Sequence, residues 1–449
     1  MVTSLAEKYS APVPRYTSYP TAPHFAPFTD KLLYGSWLKE LDPAQPLSLY
    51  LHVPFCQKMC WYCGCHTKVT KKYDPVADYA AALRAEIATL AKTLPSRFAI
   101  SHVHWGGGTP SILSASDFKA VMGSLADQFD YTDTAERAIE IDPRVVDAEK
   151  ITALAEAGIN RASLGVQDFN SDVQKAINRV QSYELTENVV NLLREAGISN
   201  INFDLMYGLP LQTSDDVRRT IDLSHNLKPD RIALFGYAHV PWMKTHMKMI
   251  KDDELPGTGE RVEQATVAAD YLQTLGYQQI GLDHFASPTD EMSIAQKNRQ
   301  LKRNFQGYTT DDAETLIGIG ASSIGKLPQG YAQNAVGVAE YKRRVRAGEF
   351  AAEKGIAVST EDKFRRDIIE RLMCDFTVDL VEIQTNYELD RDFFDEEIKR
   401  LNGFIEDDLL TLDGGKIMVN RDGQFLIRTI CAVFDTYLGN GTGKHSRAI

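Results

Sequence analysis

Between residues 47 and 237 short apolar runs alternate with longer stretches of helical period. Leu47–Val53 has strand length and composition. Asp74–Ala91 places Tyr79, Leu83, Ile87 and Leu90 on one helical face. The alternation then continues. Ile100–Trp105 predicts a second strand, followed at once by Gly106, Gly107 and Gly108. Ser114–Leu125 predicts a helix with Ser114 as N-cap. Ala138–Ile141 is a third strand, and Pro143–Ala157 a helix stopped at Gly158. Arg161–Val166, Ile201–Met206 and Arg231–Tyr237 complete six strands, with helices over Glu184–Ala196 and Thr213–Asn226 between them. Such alternation implies a parallel sheet with helices outside, and right-handed crossovers curl it toward a barrel. Six strands fall short of the usual eight, so the expectation is a partial (β/α)6 barrel. Residues 259–275 add a helix and Tyr277–Leu282 a further strand.

The flanks read differently. Residues 1–45 carry Pro12, Pro14, Pro20, Pro23 and Pro27 and no sustained period. Tyr16, Tyr19, Phe25 and Phe28 are costly to leave in water, which predicts an extended arm lying along the main domain. Beyond residue 350, amphipathic helices are expected at 361–375 and 391–401, with turns of a short β segment at Asp413–Gly415 and Asn420–Gly423. The fold class is therefore α/β. The division is 1–45 arm, 46–350 catalytic domain and 351–449 smaller, mainly helical C-terminal domain.

Composition bounds the function. Hydrophobic content of 43% and charged content of 24% suit a globular chain of 449 residues. The net charge of −12 argues against a nucleic-acid partner. No apolar run reaches the ~18 residues of a membrane span, and the first twenty residues lack a signal-peptide core. The six cysteines, four in one short window, fit a reducing cytoplasm.

That window is the stretch around which the chain is organised. Cys56, Cys60 and Cys63 form C-x3-C-x2-C, and Cys65 follows. Close thiolates in a loop hold a metal. Three ligands are one short of what an iron–sulfur cube takes from protein, which leaves one iron open for chemistry. A zinc site and a closed cluster with Cys65 as fourth ligand are the alternatives. Zinc lacks its second ligand pair, because Cys374 and Cys431 are isolated and His66 stands alone.

Unusual residues fall at the C-terminal strand ends, where parallel barrels place their sites. They are Cys56, Gly106–Gly108, Glu140 with Asp142, Gln167 with Asp168, Asp204 with Tyr207, and Tyr237 to His239. All six groups are expected to face one cavity. The glycines let a ligand approach the backbone. An inward Glu140 must be paired, by a cationic ligand or by a salt bridge to Arg161 or Arg179. His52 and His104 read as core histidines. Gly318, Gly320 and Gly325 lack the spacing and βαβ frame of a dinucleotide fingerprint, so no Rossmann site is expected, and Ile324 reads as an apolar wall against an adenine.

The string YLHVPFCQKMCWYCGCHTKVT (50–70) resembles the radical S-adenosylmethionine (SAM) superfamily and, within it, the oxygen-independent coproporphyrinogen III oxidases. The resemblance extends through PRYTSYPT (14–21), HWGGGTPS (104–111), GVQDFN (165–170), DLMYGLP (204–210), NFQGYTT (304–310) and FDTYL (434–438). It implies a barrel of radical SAM type, with the arm over the active-site entrance. It implies a [4Fe-4S] cluster held by Cys56, Cys60 and Cys63, with two SAM molecules as co-substrates. The first SAM would touch Tyr50, Gly107, Glu140, Ala238 and Ile324. The second would touch Tyr62, Gly108, Thr109, Gln167, Arg179 and Asp204. Cys65 and Glu140 are the implied catalytic residues. Arg179 and Arg303 are candidate partners for the substrate's propionates.

The implied reaction is anaerobic oxidative decarboxylation of two propionates of coproporphyrinogen III to vinyl groups, through a 5′-deoxyadenosyl radical. An unidentified electron donor and acceptor are implied, and the expected form is a cytoplasmic monomer. The rival readings are a haem-binding chaperone and a haem-ring-opening enzyme on the same scaffold. Such paralogues usually lack the equivalents of Cys65, the arm and the 304–310 string.

Overall fold

The parity of side chains along six strands builds the molecule. These are β1 (Leu47–Val53), β2 (Ala99–Gly107), β3 (Asp130–Ile141), β4 (Arg161–Gln167), β5 (Asn200–Tyr207) and β6 (Arg231–Gly236). In the computed structural model, which describes residues 5, 8–9 and 11–439, one face of each strand is apolar. Leu49, Leu51, Val103, Trp105, Ile139, Leu164, Phe203 and Leu234 enter one large core under the helices. The other face carries His102, His104, Glu136, Glu140, Arg161, Ser163, Asn202, Asp204 and Arg231, which line a cavity of about 230 Å³. Successive strand side chains point to opposite faces, so alternation of this kind sends polar groups inward to a lumen and apolar groups outward to the helices.

The six strands are parallel neighbours in chain order. Thr315–Ile319 adds a parallel strand beyond β1. Antiparallel strands Ile324–Leu327, Gly330–Asn334 and Ala352–Ala357 extend that edge, and Ala26–Pro27 of the arm closes it. At the other edge His284–Ala286 and Gln278–Ile280 follow β6. The result is a partial barrel within a 13-stranded sheet whose two edges, among the described residues, do not pair.

Several boundaries differ from expectation. β2 runs through Gly106 and Gly107, which pair with His52 and Val53. β3 starts at Asp130, eight residues early, because its first half is too polar and exposed to read as a strand. The helix expected over Pro143–Ala157 breaks into a 3-10 turn and Ala148–Glu156, since Asp147 caps the second piece. Tyr277–Leu282 is the first half of a hairpin, not a lone strand. Asn420–Gly423 opens a short helix with Asn420 as N-cap.

A second core belongs to the C-terminal region, around Phe364, Ile368, Leu372, Leu401, Ile427 and Phe434. It holds helices Thr360–Asp375 and Asp395–Glu406 and a small three-stranded sheet. Ala352–Ala357 still belongs to the large sheet, so that sheet extends past residue 350. The arm was expected along the barrel domain, but it spans both parts. Val13, Tyr16 and Tyr19 enter the second core. There Tyr16 Oη donates to Asp435 at 3.0 Å. Phe25 stacks on Tyr331 of the large sheet. The arm also contains a helix, Leu33–Lys39. Residues 1–4, 6–7 and 10 of the arm lie outside the described residues.

Candidate active site

The cysteine loop leaves the end of β1 and is tied down along its length. Its first turn forms a ribbon of Phe55–Cys56 with Lys68–Val69. Trp61 N–H donates to Ile177 O at 3.0 Å, and Asn178 Nδ2 donates to Met59 O at 2.8 Å. Lys244 Nζ donates to Cys65 O at 2.9 Å, and His246 Nε2 lies 2.8 Å from Cys63 O. Backbone carbonyls in a loop need such partners, and here they come from three other segments.

Side chains then address the sulfurs. Thr109 Oγ1 donates to Cys56 Sγ at 3.4 Å, with Thr67 Oγ1 3.1 Å from the same atom. Arg144 Nη2 and Arg179 Nη1 reach Cys60 Sγ at 3.4 and 3.6 Å. Burial pushes the Cys56 thiol up against these two hydroxyls, with Cys63 and Cys60 as its electrostatic neighbours. The Cys63 thiol is drawn down to about 7, first by the Cys65 thiol as donor and further by Lys244 and Arg179. Among the described residues, no three His, Cys, Asp or Glu side chains form a group that could hold one metal ion. Cluster thiolates bind separate irons and lie further apart. Three thiols in one pocket, met by N–H and O–H donors and two guanidiniums, fit an anionic iron–sulfur cluster.

Beside this loop lies the glycine run. Gly107 sits at φ +116, a region open to glycine, and its N–H donates to Glu140 Oε2 at 3.2 Å. A Cβ on Gly108 would lie 2.5 Å from Thr67 Oγ1 and 2.7 Å from Phe55 O, so only glycine lets β2 come this close to the loop. Glu140 Oε1 is 3.6 Å from His104 Nε2, which is buried without a hydrogen-bond partner. The expected alternative for Glu140, a salt bridge to Arg161 or Arg179, is not made. Arg161 takes Glu136 at 2.7 Å, and Arg179 takes Asp142 at 3.5 Å.

Tyr50, of the first expected SAM set, adjoins Glu140 and has its Oη 3.0 Å from His52 Nδ1. Across from Tyr50 in the sheet is Gly318, and a Cβ there would meet the Ile324 backbone at 2.9 Å. Ile324 therefore stands beside Tyr50. Ala238 is half-buried two residues past β6. The Cys65 thiol has Glu140 among its electrostatic neighbours, and its hydrogen bond with Cys63, then burial, raises it.

Of the second set, Gln167 and Tyr62 lie beside Arg179. Its Nη2 donates to Gly165 O at 2.5 Å. Gln167 is at φ +68, where β4 bulges. Tyr62 lies between Arg179, Cys60 and Cys63. Asp204 accepts from Ser163 Oγ at 3.0 Å and Asn202 Nδ2 at 2.9 Å. Burial, then the nearby Glu140 charge, lifts its carboxyl to about 6. Glu140 and Asp204 give the lumen the acidic character a sulfonium cation asks for.

Not every strand-end residue faces this cavity. Asp168 is fully buried and structural: Gln212 Nε2 donates to its Oδ2 at 2.7 Å, and burial lifts its carboxyl to about 7. Tyr237 packs in a side cluster with Val173, Leu209 and Met247, and its Oη is 2.7 Å from His239 Nδ1. Of the two proposed propionate partners, Arg179 is already engaged, whereas Arg303 lies over the Tyr308 ring at 4.3 Å, away from the cysteine loop. Thr67, Arg144, Asn178, Lys244 and His246 escaped the sequence reading. The run of Lys and His between β6 and the next helix was the only local signal for the last two.

A model of the radical SAM superfamily matches residues 50–224. The chain is 48% identical over 437 residues to the oxygen-independent coproporphyrinogen III oxidase of Bradyrhizobium diazoefficiens, with 97% of each chain covered. It is 42% identical to the enzyme of the same name from Paracoccus denitrificans, over 98% of this chain and 97% of that one. Among solved structures, the coproporphyrinogen III oxidase of Escherichia coli, described as a radical SAM enzyme, superposes with a TM-score of 0.90. The identity is 39%, over 94% of this chain and 98% of that chain.

Proposed function

The chain belongs to the oxygen-independent coproporphyrinogen III oxidases of the radical SAM superfamily, and we propose that it is the oxidoreductase converting coproporphyrinogen III to protoporphyrinogen IX in haem biosynthesis. Two propionates become vinyl groups. Each loses CO2, one hydrogen atom from its β-carbon and one electron to an acceptor. The observation that carries this reading is the C-x3-C-x2-C loop at the mouth of a polar barrel lumen, with Cys60 already addressed by two guanidiniums.

The β-hydrogen is too weakly acidic for a side-chain base. The bound cluster and SAM supply one-electron hydrogen-atom abstraction in its place. The chain's own residues do the positioning. Cys56, Cys60 and Cys63 are the ligands, with Arg144, Arg179 and Thr109 donating to sulfur and Thr67 Oγ1 beside Cys56. Tyr50, Gly107, Glu140, Ala238 and Ile324 are assigned to one SAM molecule. Tyr62, Gly108, Thr109, Gln167, Arg179 and Asp204 are assigned to a second. Lys244 ties the Cys65 carbonyl, and Glu140 and Tyr50 are electrostatic neighbours of the Cys65 thiol. This proximity supports the assignment of Cys65 as a catalytic residue. No helix among the described residues is long and apolar enough to cross a membrane.

Anaerobic reconstitution followed by incubation with coproporphyrinogen III, SAM and reductant tests this reading. Protoporphyrinogen IX is expected with about two 5′-deoxyadenosine per product, because SAM is consumed at each decarboxylation. One 5′-deoxyadenosine per product would leave the reaction and remove the second SAM. Tight haem binding without decarboxylation would make the protein a haem carrier.

A further inference from the structure

Charge is spread unevenly over this acidic chain, which has 61 Asp and Glu against 49 Lys and Arg. Residues 52–73, which include the cysteine loop, carry Lys58, Lys68, Lys71 and Lys72 and no Asp or Glu. Residues 237–251, just past β6, carry Lys244, Lys248 and Lys251 and again no Asp or Glu. The fold brings these two runs together. Lys244 Nζ donates to Cys65 O at 2.9 Å, and His246 Nε2 lies 2.8 Å from Cys63 O. Met247 and Ile250 are buried in the side cluster against which Trp61 and Tyr62 pack. The first carboxylates past the two runs are Asp74 and Asp252.

While Met247 and Ile250 pack inward, their neighbours stay outside. Trp242, Met243 and Met249 are 58, 62 and 58% exposed, and Val69, which pairs with Cys56 in the ribbon, is 40% exposed. Lys58, Lys68, Lys71, Lys72 and Lys248 are exposed, and their ammonium groups make no hydrogen bond or ion pair among the described residues. Lys251 stands apart, because Glu254 takes it at 2.5 Å, and Asp252 lies 3.0 Å from His239. Large apolar groups left in water beside unpaired charges of one sign stabilise nothing within the fold. They have the composition of a docking face, apolar at the centre and charged at the rim. Lysines gathered this way repel one another, and an acidic surface relieves that repulsion.

We propose that the basic face formed by residues 58–72 and 242–249 docks an acidic protein that carries single electrons, and that the reducing electron enters there. The inference rests on the reaction proposed above and names the class of its electron donor. That reaction consumes one electron for each SAM cleaved. The reduced carrier loses it and the cluster gains it, with no atom transferred. A donor protein has to approach the cysteines from outside, and the lysines of their own loop mark that approach. A net charge of −12 repels an acidic partner at long range, so the local lysines decide which face it meets. Redox encounters are small, burying less than about 1,200 Å². Attraction between exposed charges is screened by salt, so the complex is expected to be salt-sensitive.

The test uses reconstituted holoenzyme, a reduced flavodoxin as the acidic carrier, and dithionite as a small reductant that needs no docking face. K58E/K71E/K72E reverses exposed charges, and W242A removes the apolar centre. K92E, at the other end of helix Asp74–Thr93, is the control. Calorimetric titration should show the first two variants binding flavodoxin about 10-fold more weakly and K92E binding it as the wild type does. Wild-type affinity should fall between about 50 and 300 mM salt, and the fall should flatten in the triple variant. With flavodoxin as donor, 5′-deoxyadenosine should form about 10-fold more slowly in the triple variant. Its iron content and dithionite-driven rate should match the wild type. Unchanged flavodoxin affinity in the triple variant, or an equal loss in K92E, overturns the proposal. So does loss of iron or of the dithionite-driven rate in the triple variant, which would make these lysines part of the loop's own fold. Wild type that binds phosphatidylserine vesicles and not flavodoxin overturns it as well. Failure of wild type to decarboxylate with dithionite overturns the reaction reading instead and leaves the binding titration standing.

Discussion

Two regions of the molecule are built in opposite ways. The cysteine rim is a single run, residues 52–65, folded back over the end of β1. Its carbonyls are met by Lys244, His246 and Asn178, and its sulfurs by Thr67, Thr109, Arg144 and Arg179. The junction of the arm, the barrel and the C-terminal region draws instead on distant parts of the chain: Arg303 Nη2 donates to Arg15 O at 3.5 Å, and Tyr16 and Tyr19 enter the C-terminal core. Each region keeps an unpaired buried guanidinium nitrogen, Arg179 Nε at the first and Arg303 Nε and Nη1 at the second. The difference lies in the range of the contacts that build them. A cofactor that stays needs a site rigid beforehand, and a loop tied along its length supplies one.

The largest effect is expected at the cysteine rim. Cys60→Ala should lose cluster iron and all product formation, since Cys60 is the buried thiol facing both guanidiniums. Normal iron content in that variant would remove Cys60 from the ligand set. Cys65→Ser sharpens the same rim. Its iron and SAM binding should persist while product falls by at least about 100-fold. Loss of the cluster in this variant would make Cys65 a fourth ligand and close the site.

Glu140→Gln should come next. It removes the charge beside His104 and weakens the acceptor of the Gly107 N–H. SAM affinity should drop about 10- to 100-fold with iron unchanged, as expected for a lost charge-assisted contact. Equilibrium dialysis with labelled SAM reads this directly, and wild-type affinity would move Glu140 out of the SAM site.

A smaller effect concerns the support behind the cysteine rim. Glu86 is buried and accepts from Gly320 N–H and Asn334 Nδ2 at 2.7 Å and from Tyr341 Oη at 2.6 Å. Burial lifts its carboxyl from 4.5 to about 7 despite these donors. The folded state therefore holds the proton more tightly than the unfolded chain. The resulting stability is fully present below pH 4.5 and is lost as pH rises through about 7. It amounts to about 3 kcal/mol at most. Denaturant titrations from pH 5 to 8 should show the wild type losing stability across this window more steeply than Glu86→Gln. Parallel curves would discard the assignment.

The smallest effect probes the anchor of the arm next to Arg15. Tyr16→Phe deletes the 3.0 Å hydrogen bond to the buried Asp435 carboxylate. It should cost about 1 kcal/mol in thermal unfolding. Iron content and SAM affinity should not change. A shift in iron content would mean that the two regions are not independent.

The sequence by itself determined the repeating strands and helices, the thiol loop and the candidate residues at the strand ends. Each of those signals is local. Side-chain parity along β1 to β6, the C-x3-C-x2-C spacing and the cap at Ser114 each lie within a few residues. The half-exposed start of β3 was lost because Asp130–Arg137 has no apolar face to read. Asp168 was misplaced because a carboxylate after a strand looks the same whether it faces the lumen or, as here, Gln212. It took the packed molecule to show that Glu140 avoids both nearby arginines and that Tyr16 and Tyr19 belong to the C-terminal core. Those facts depend on contacts between residues tens to hundreds of positions apart, and local periodicity carries no information about such distances.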